Sequence, residues 1–193
     1  MSSKKKSKKS SKKISKKNNC YYFKDYPDFT PNLSPREIFL LGSFGGTYWR
    51  PIIYKGVEYK NQHKKYKFGL DDSILTLPWK EYDKKINKYG VKVGTTYEYW
   101  LEKNWISDSD PYGWFQWYCN YERGRRSDDD DRQIKRWLSI AGPNGRFRKW
   151  LITLILKKNG IWNDYSISPK IRQTLLHWGY QLTKKDLDTY KKK

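Results

Sequence analysis

"YERGRRSDDDDRQIKRWLSIAGPNGRFRKWL", residues 121–151, carries the grammar of two successive helices and the turn between them. Ser127 followed by Asp128–Asp131 reads as a helix start, because negative charge in a first turn offsets the helix dipole. Ile134, Trp137, Leu138 and Ala141 then recur on one helical face. "GPNG" at 142–145 turns the chain into a further helix, whose stripe is Phe147, Trp150, Leu151, Leu154 and Ile155. Amphipathic helices in series bury their stripes against one another, which points to a mainly α fold.

The same grammar extends to both sides. Upstream, Asp110-Pro111 reads as a helix start ahead of Trp114, Trp117, Tyr118 and Tyr121, and Thr95 with Glu98 reads as a capping box before "YEYWLEKNW". Ser34-Pro35-Arg36-Glu37 is a second capping box, opening a short helix with Ile38, Leu40 and Leu41 that Gly42 ends. Downstream, Ser168-Pro169 starts a last helix with Ile171, Leu175, Trp178 and Leu182 inward. Residues 48–80 alternate short β-like pieces with turns. The fold class expected is mainly α with a small irregular β portion (α+β). A single globular domain over 20–187 would follow a disordered lysine- and serine-rich tail over 1–19 and precede a basic end at 188–193.

Charge frames the function. The 193 residues hold 41 Lys+Arg and 20 Asp+Glu, a net +21. Nine of the lysines (Lys4, Lys5, Lys6, Lys8, Lys9, Lys12, Lys13, Lys16 and Lys17) lie in residues 1–17, which contain no acid, so residues 18–193 keep a net +12. A body that stays basic without its tail calls for a polyanion, nucleic acid before an anionic membrane surface. Two cysteines and two histidines offer neither a disulfide framework nor a zinc-ligand spacing, and no apolar run reaches the ~20 residues that span a bilayer. A soluble protein of a reducing compartment, without cofactor or metal, is expected.

"GSFGGTYWRPI", residues 42–52, is the stretch most like a phosphate loop, yet it lacks the lysine and spacing of a P-loop and follows a helix instead of preceding one. It reads as a backbone corner, with Gly42 at the helix C′ position and Gly45-Gly46 free to adopt positive φ. The acid run could be taken for a magnesium site, but helix-dipole compensation explains it more simply. No catalytic set emerges: His63 and His177 read as structural or solvent-facing, and Cys119 as a buried small residue. Arg123, Arg125 and Arg126 precede the acidic helix, Arg132, Lys135 and Arg136 lie opposite its apolar face, and Arg146, Arg148 and Lys149 crowd the next helix start. Cations there oppose the helix dipole, a conflict that an anion at that helix end would resolve. These nine residues, with the tail lysines, are the expected DNA contacts, and neutralising Arg125, Arg126, Arg146 and Arg148 is expected to weaken binding without unfolding. "IAGPNGR" also weakly matches the helix-hairpin-helix turn of repair enzymes, although Gly142 and Gly145 are spaced differently from its G-x-G.

Several segments in series resemble a known family: "YPDFTPNLSPREIFLLGSFGGTYWRPI" (26–52), "DPYGWFQWYCNYERGRRSDDDDRQIKRWL" (110–138), "GPNGRFRKWLIT" (142–153) and "SPKIRQTLLHWGYQLT" (168–183). The chain resembles, over roughly residues 21–185, small proteins encoded by giant DNA viruses of the mimivirus type, with relatives in fungi and other eukaryotes. The resemblance implies a non-histone, DNA-organising protein of a viral nucleoid, located in the virion and the viral factory of the host cytoplasm, or in a nucleus if cellular. It supplies no catalytic residue and no cofactor. The expected function is sequence-tolerant binding and compaction of double-stranded DNA, with self-association on DNA and no membrane partner. The alternative is a nucleic-acid enzyme, a repair glycosylase or nuclease, using Asp110 or one of Asp128–Asp131 on the same surface.

Overall fold

The computed structural model describes the backbone of residues 15–17 and 19–191. Among them are seven α-helices and two separate two-stranded hairpins, a mainly α chain with a minor β part. The first hairpin pairs β1 (Ser15–Lys17) with β2 (Cys20–Tyr22), antiparallel, with Ser15 opposite Tyr22. The tail expected to end at residue 19 therefore meets paired backbone from Ser15 onward. Lys4, Lys5, Lys6, Lys8, Lys9, Lys12 and Lys13 lie outside the described residues, as do the side chains of Lys16 and Lys17.

α1 (Pro35–Leu40) has the capping box written in its sequence: Ser34 Oγ accepts from Glu37 N–H, and the Glu37 carboxylate accepts from Ser34 N–H. The glycine-rich corner follows. Gly42, at φ +94°, lies so close to the next layer that a Cβ there would sit 2.2 Å from the Ile86 carbonyl oxygen. Gly42→Ala is expected to cost about 1–3 kcal/mol through the left-handed backbone alone, with the clash adding to it. An unchanged urea midpoint would contradict that reading. Two of the corner's amides are committed internally: Phe44 N–H donates to His177 Nε2 (3.0 Å) and Gly45 N–H to Asn87 Oδ1 (2.8 Å). It is a packed corner.

β3 (Ile52–Tyr54) and β4 (Val57–Tyr59) form the second hairpin, and 3-10 turns at 62–66, 72–74 and 79–81 carry the chain to α2 (Tyr97–Glu102). Thr96, one residue later than expected, caps α2, while Thr95 Oγ1 accepts from Trp100 Nε1. α3 (Trp114–Glu122) begins three residues beyond Pro111. α4 (Asp130–Ile140) starts two residues later than the acid run suggested, so only Asp130 and Asp131 occupy its first turn. α5 (Arg146–Lys157) and α6 (Pro169–His177) follow, with Leu182 buried in the loop beyond α6 and not on it. α7 (Lys184–Lys191) occupies the stretch expected to hold a domain boundary at 187 and a basic end.

Aromatic packing holds these pieces together. Trp117, Tyr118 and Tyr121 of α3 are fully buried, and Phe29 meets Tyr118, Tyr121 and Trp137 edge to face at 5.1–5.7 Å. α5 packs against α4, α6 and α7, burying Leu151, Ile152 and Ile155. Trp150 lies to the side of that stripe and is 56 % exposed, against the expectation that it faces inward. No helix among the described residues is long and apolar enough to cross a membrane.

Candidate nucleic-acid interface

The arginines expected to face DNA fall into two groups. In the first, each guanidinium grips a carboxylate. Arg125 forms a two-pronged pair with Asp110, whose side chain is fully buried. Arg148 pairs with buried Asp186 of α7 and lies over the Tyr180 ring. Arg126 pairs with Asp25 and stacks on Tyr121 at 3.8 Å, and Arg132 pairs with Asp129 one turn away. These four charges are compensated by carboxylates within the fold, a pairing that the sequence-based expectation of a free DNA surface did not include. Sequence alone could not separate them, because Asp25 and Asp186 lie 101 and 38 residues from their partners.

The second group forms no ion pair among the described residues. Arg123 is exposed and donates to the Tyr66 carbonyl (3.0 Å). Lys135, Arg146 and Lys149 are exposed on α4 and α5. Arg136 is half-buried, flanked by the Trp105 and Trp178 rings at 5.0 and 5.5 Å. Burial, and secondarily the neighbouring Arg132 charge, pull its pKa down to about 10, so it remains a cation at neutral pH.

The lysines behave differently from the arginines. Every lysine in residues 19–191 is exposed except Lys88, which is half-buried. Only Lys55, Lys60, Lys103 and Lys184 form ion pairs among the described residues, each with an exposed or half-buried acid. Arginine, with its rigid fork, therefore serves largely to tie the fold, while lysine supplies the free surface charge.

The acids proposed for an enzymatic alternative have structural partners. Asp110 also accepts from Asn120 Nδ2 (2.7 Å). Asp130 accepts from Trp117 Nε1 (2.8 Å) and from both N–H and Oγ of Ser127, and Asp131 accepts from the Tyr26 hydroxyl (2.6 Å). No three of His, Cys, Asp and Glu come together as a metal site among the described residues. The "GPNG" turn is a tight joint: Gly145 N–H donates to Gly142 O (2.8 Å), and a Cβ on Gly145 would meet Ile140 backbone at 2.5 Å.

A cavity of about 560 Å³ lies between the glycine-rich corner, the 79–114 region and helices α4 to α6. Its walls include Trp79, Trp100, Trp105, Trp114 and Trp178. Its charged residues are Arg50, Arg136 and Arg146, and no carboxylate lines it. Arg50 is half-buried, donates to Thr47 O (3.1 Å) and lies 5.1 Å from the Trp79 ring centre. Burial lowers its pKa, partly countered by Glu98. No sequence pattern announces this site, since Arg50, Trp79 and Trp105 belong to no apolar periodicity and meet only in three dimensions.

His177 forms part of the cavity wall, its ring stacked 4.1 Å from Phe44. Burial pushes its pKa down to about 3. The unfolded chain, with a histidine pKa near ~6.5, thus binds the proton more readily than the folded one. The resulting stability is complete above that value and lost as pH falls toward 3, at about 1.4 kcal/mol per pH unit. His177→Gln is expected to remove about one proton's worth of pH dependence between pH 6.5 and 5, read from urea unfolding. An identical pH slope in wild type and variant would contradict it.

The chain matches no protein-family model, and no curated protein or solved structure matches it.

Proposed function

We propose that this chain binds nucleic acid through the phosphate backbone with little sequence preference and compacts double-stranded DNA, in the manner of the giant-virus nucleoid proteins it resembles. The observation that carries this reading is the division of labour between the cations. Several arginines are tied to carboxylates inside the fold, whereas lysines lie exposed over the body of a chain with net charge +21. Dispersed ammonium charges attract phosphates without reading base edges, so affinity arises without a sequence code. The basic tail supplies a second point of contact, and two contacts on one molecule bridge or bend DNA where a single contact only coats it.

Gel retardation of two unrelated duplexes of equal length, at low salt and with and without Mg²⁺, tests the reading. Equal retardation within about threefold, with intact DNA recovered, is the expected result. Absence of retardation, or a preference of a hundredfold for one duplex, overturns it; nicked product would favour the enzymatic alternative.

A further inference from the structure

The tryptophan-walled cavity has a chemistry of its own, distinct from the dispersed surface charge. Arg50 and Arg136 are half-buried cations without a carboxylate partner among the described residues, and both lie against indole rings. Glu98 and Asp129 offset these two charges in part but form no ion pair with them among the described residues, so the half-buried cations still favour an incoming anion. Arg146 at the start of α5 adds a third positive group, exposed and 5.0 Å from the centre of the Phe147 ring. The walls call for a planar aromatic body, since tryptophan faces stack on any base irrespective of its edge. The volume lies within the range that holds small ligands.

We propose that this cavity binds one unstacked nucleotide, its base among the tryptophans and its phosphate on Arg50, Arg136 and Arg146. The ligand chemistry is an aromatic base carrying a phosphate, whether a free mononucleotide or the terminal residue of a single strand. This inference stands apart from duplex binding, which uses exposed lysines elsewhere.

The test uses the full chain and its own tryptophan fluorescence. AMP is expected to quench emission saturably, and adenosine, lacking the phosphate, to bind at least tenfold more weakly. Arg146→Glu is expected to weaken AMP tenfold or more with an unchanged unfolding midpoint, whereas Lys158→Glu, at the far end of α5, leaves AMP affinity unchanged. A 5′-phosphorylated dinucleotide that displaces AMP at lower concentration than AMP itself assigns the source to a strand; weaker displacement assigns it to the free nucleotide. No AMP binding at millimolar concentration overturns the proposal, as does equal affinity for adenosine. If Arg146→Glu alters unfolding, Ser139→Trp, which fills the cavity from an exposed wall position, is expected to abolish AMP binding, and retained binding overturns the proposal. Duplex retardation, measured on the same preparations, shows separately whether the backbone-binding reading fails.

Discussion

Arg125→Ala is expected to lower folding stability by about 3–5 kcal/mol. Asp110 is fully buried, and its carboxylate accepts both prongs of the Arg125 guanidinium. Asn120 and Ser109 also donate to it, but neither carries a charge. Truncating the arginine leaves a buried anion whose remaining partners are neutral, and the penalty exceeds what the pair gained on folding. Arg148→Ala belongs to the same class through Asp186, which ties α5 to the C-terminal helix. By contrast Lys135→Ala and Lys149→Ala, on exposed sites, are expected to change stability by no more than about 0.5 kcal/mol. Urea unfolding of the four variants checks the contrast, and equal small effects at all four positions would refute it. Neutralising Arg125, Arg126, Arg146 and Arg148 together is therefore expected to destabilise the fold, because among the described residues only Arg146 of the four has no carboxylate partner.

The second large effect concerns salt. If the full chain neutralises roughly six to ten phosphates, its affinity for a mixed-sequence duplex should fall about 10³–10⁵-fold between 50 and 200 mM salt. Nine tail lysines and the exposed lysines of the body are more than sufficient for that number. Fluorescence anisotropy across the series gives the slope, about −0.9 per phosphate in logarithmic units. An affinity independent of salt would mean that recognition rests on contacts other than charge.

Much of the fold was legible because it is local. The Ser34–Glu37 capping box, the 114–121 aromatic stripe and the "GPNG" joint each rest on residues within one or two turns of one another. Local signals also misplaced some boundaries. Asp110 read as a helix start, yet it is the buried acceptor for Arg125, and the helix waits for Trp114. Ser127 read as an N-cap, yet its N–H and hydroxyl both donate to Asp130, and α4 begins at Asp130, two residues after the expected start. α7 was missed because its eight residues are mostly polar and are anchored by buried Leu187 and the Asp186–Arg148 pair, which depend on tertiary structure. The candidate site was less legible than the fold. Charge composition reveals a basic surface, but whether an arginine faces water or a distant carboxylate depends on tertiary structure. The cavity likewise gathers residues from 44 to 178, and no spacing announces it.

In the proposed function the folded body itself engages DNA through its exposed lysines. The most direct measurement is duplex binding across a salt series for the full chain and, side by side, for a chain beginning at Ser15. That cut keeps the β1–β2 hairpin and removes seven lysines. The shortened chain is expected to bind more weakly but to retain a slope steeper than about −2, equivalent to at least two neutralised phosphates. Loss of all measurable binding by a folded shortened chain would contradict it and assign DNA contact to the tail alone.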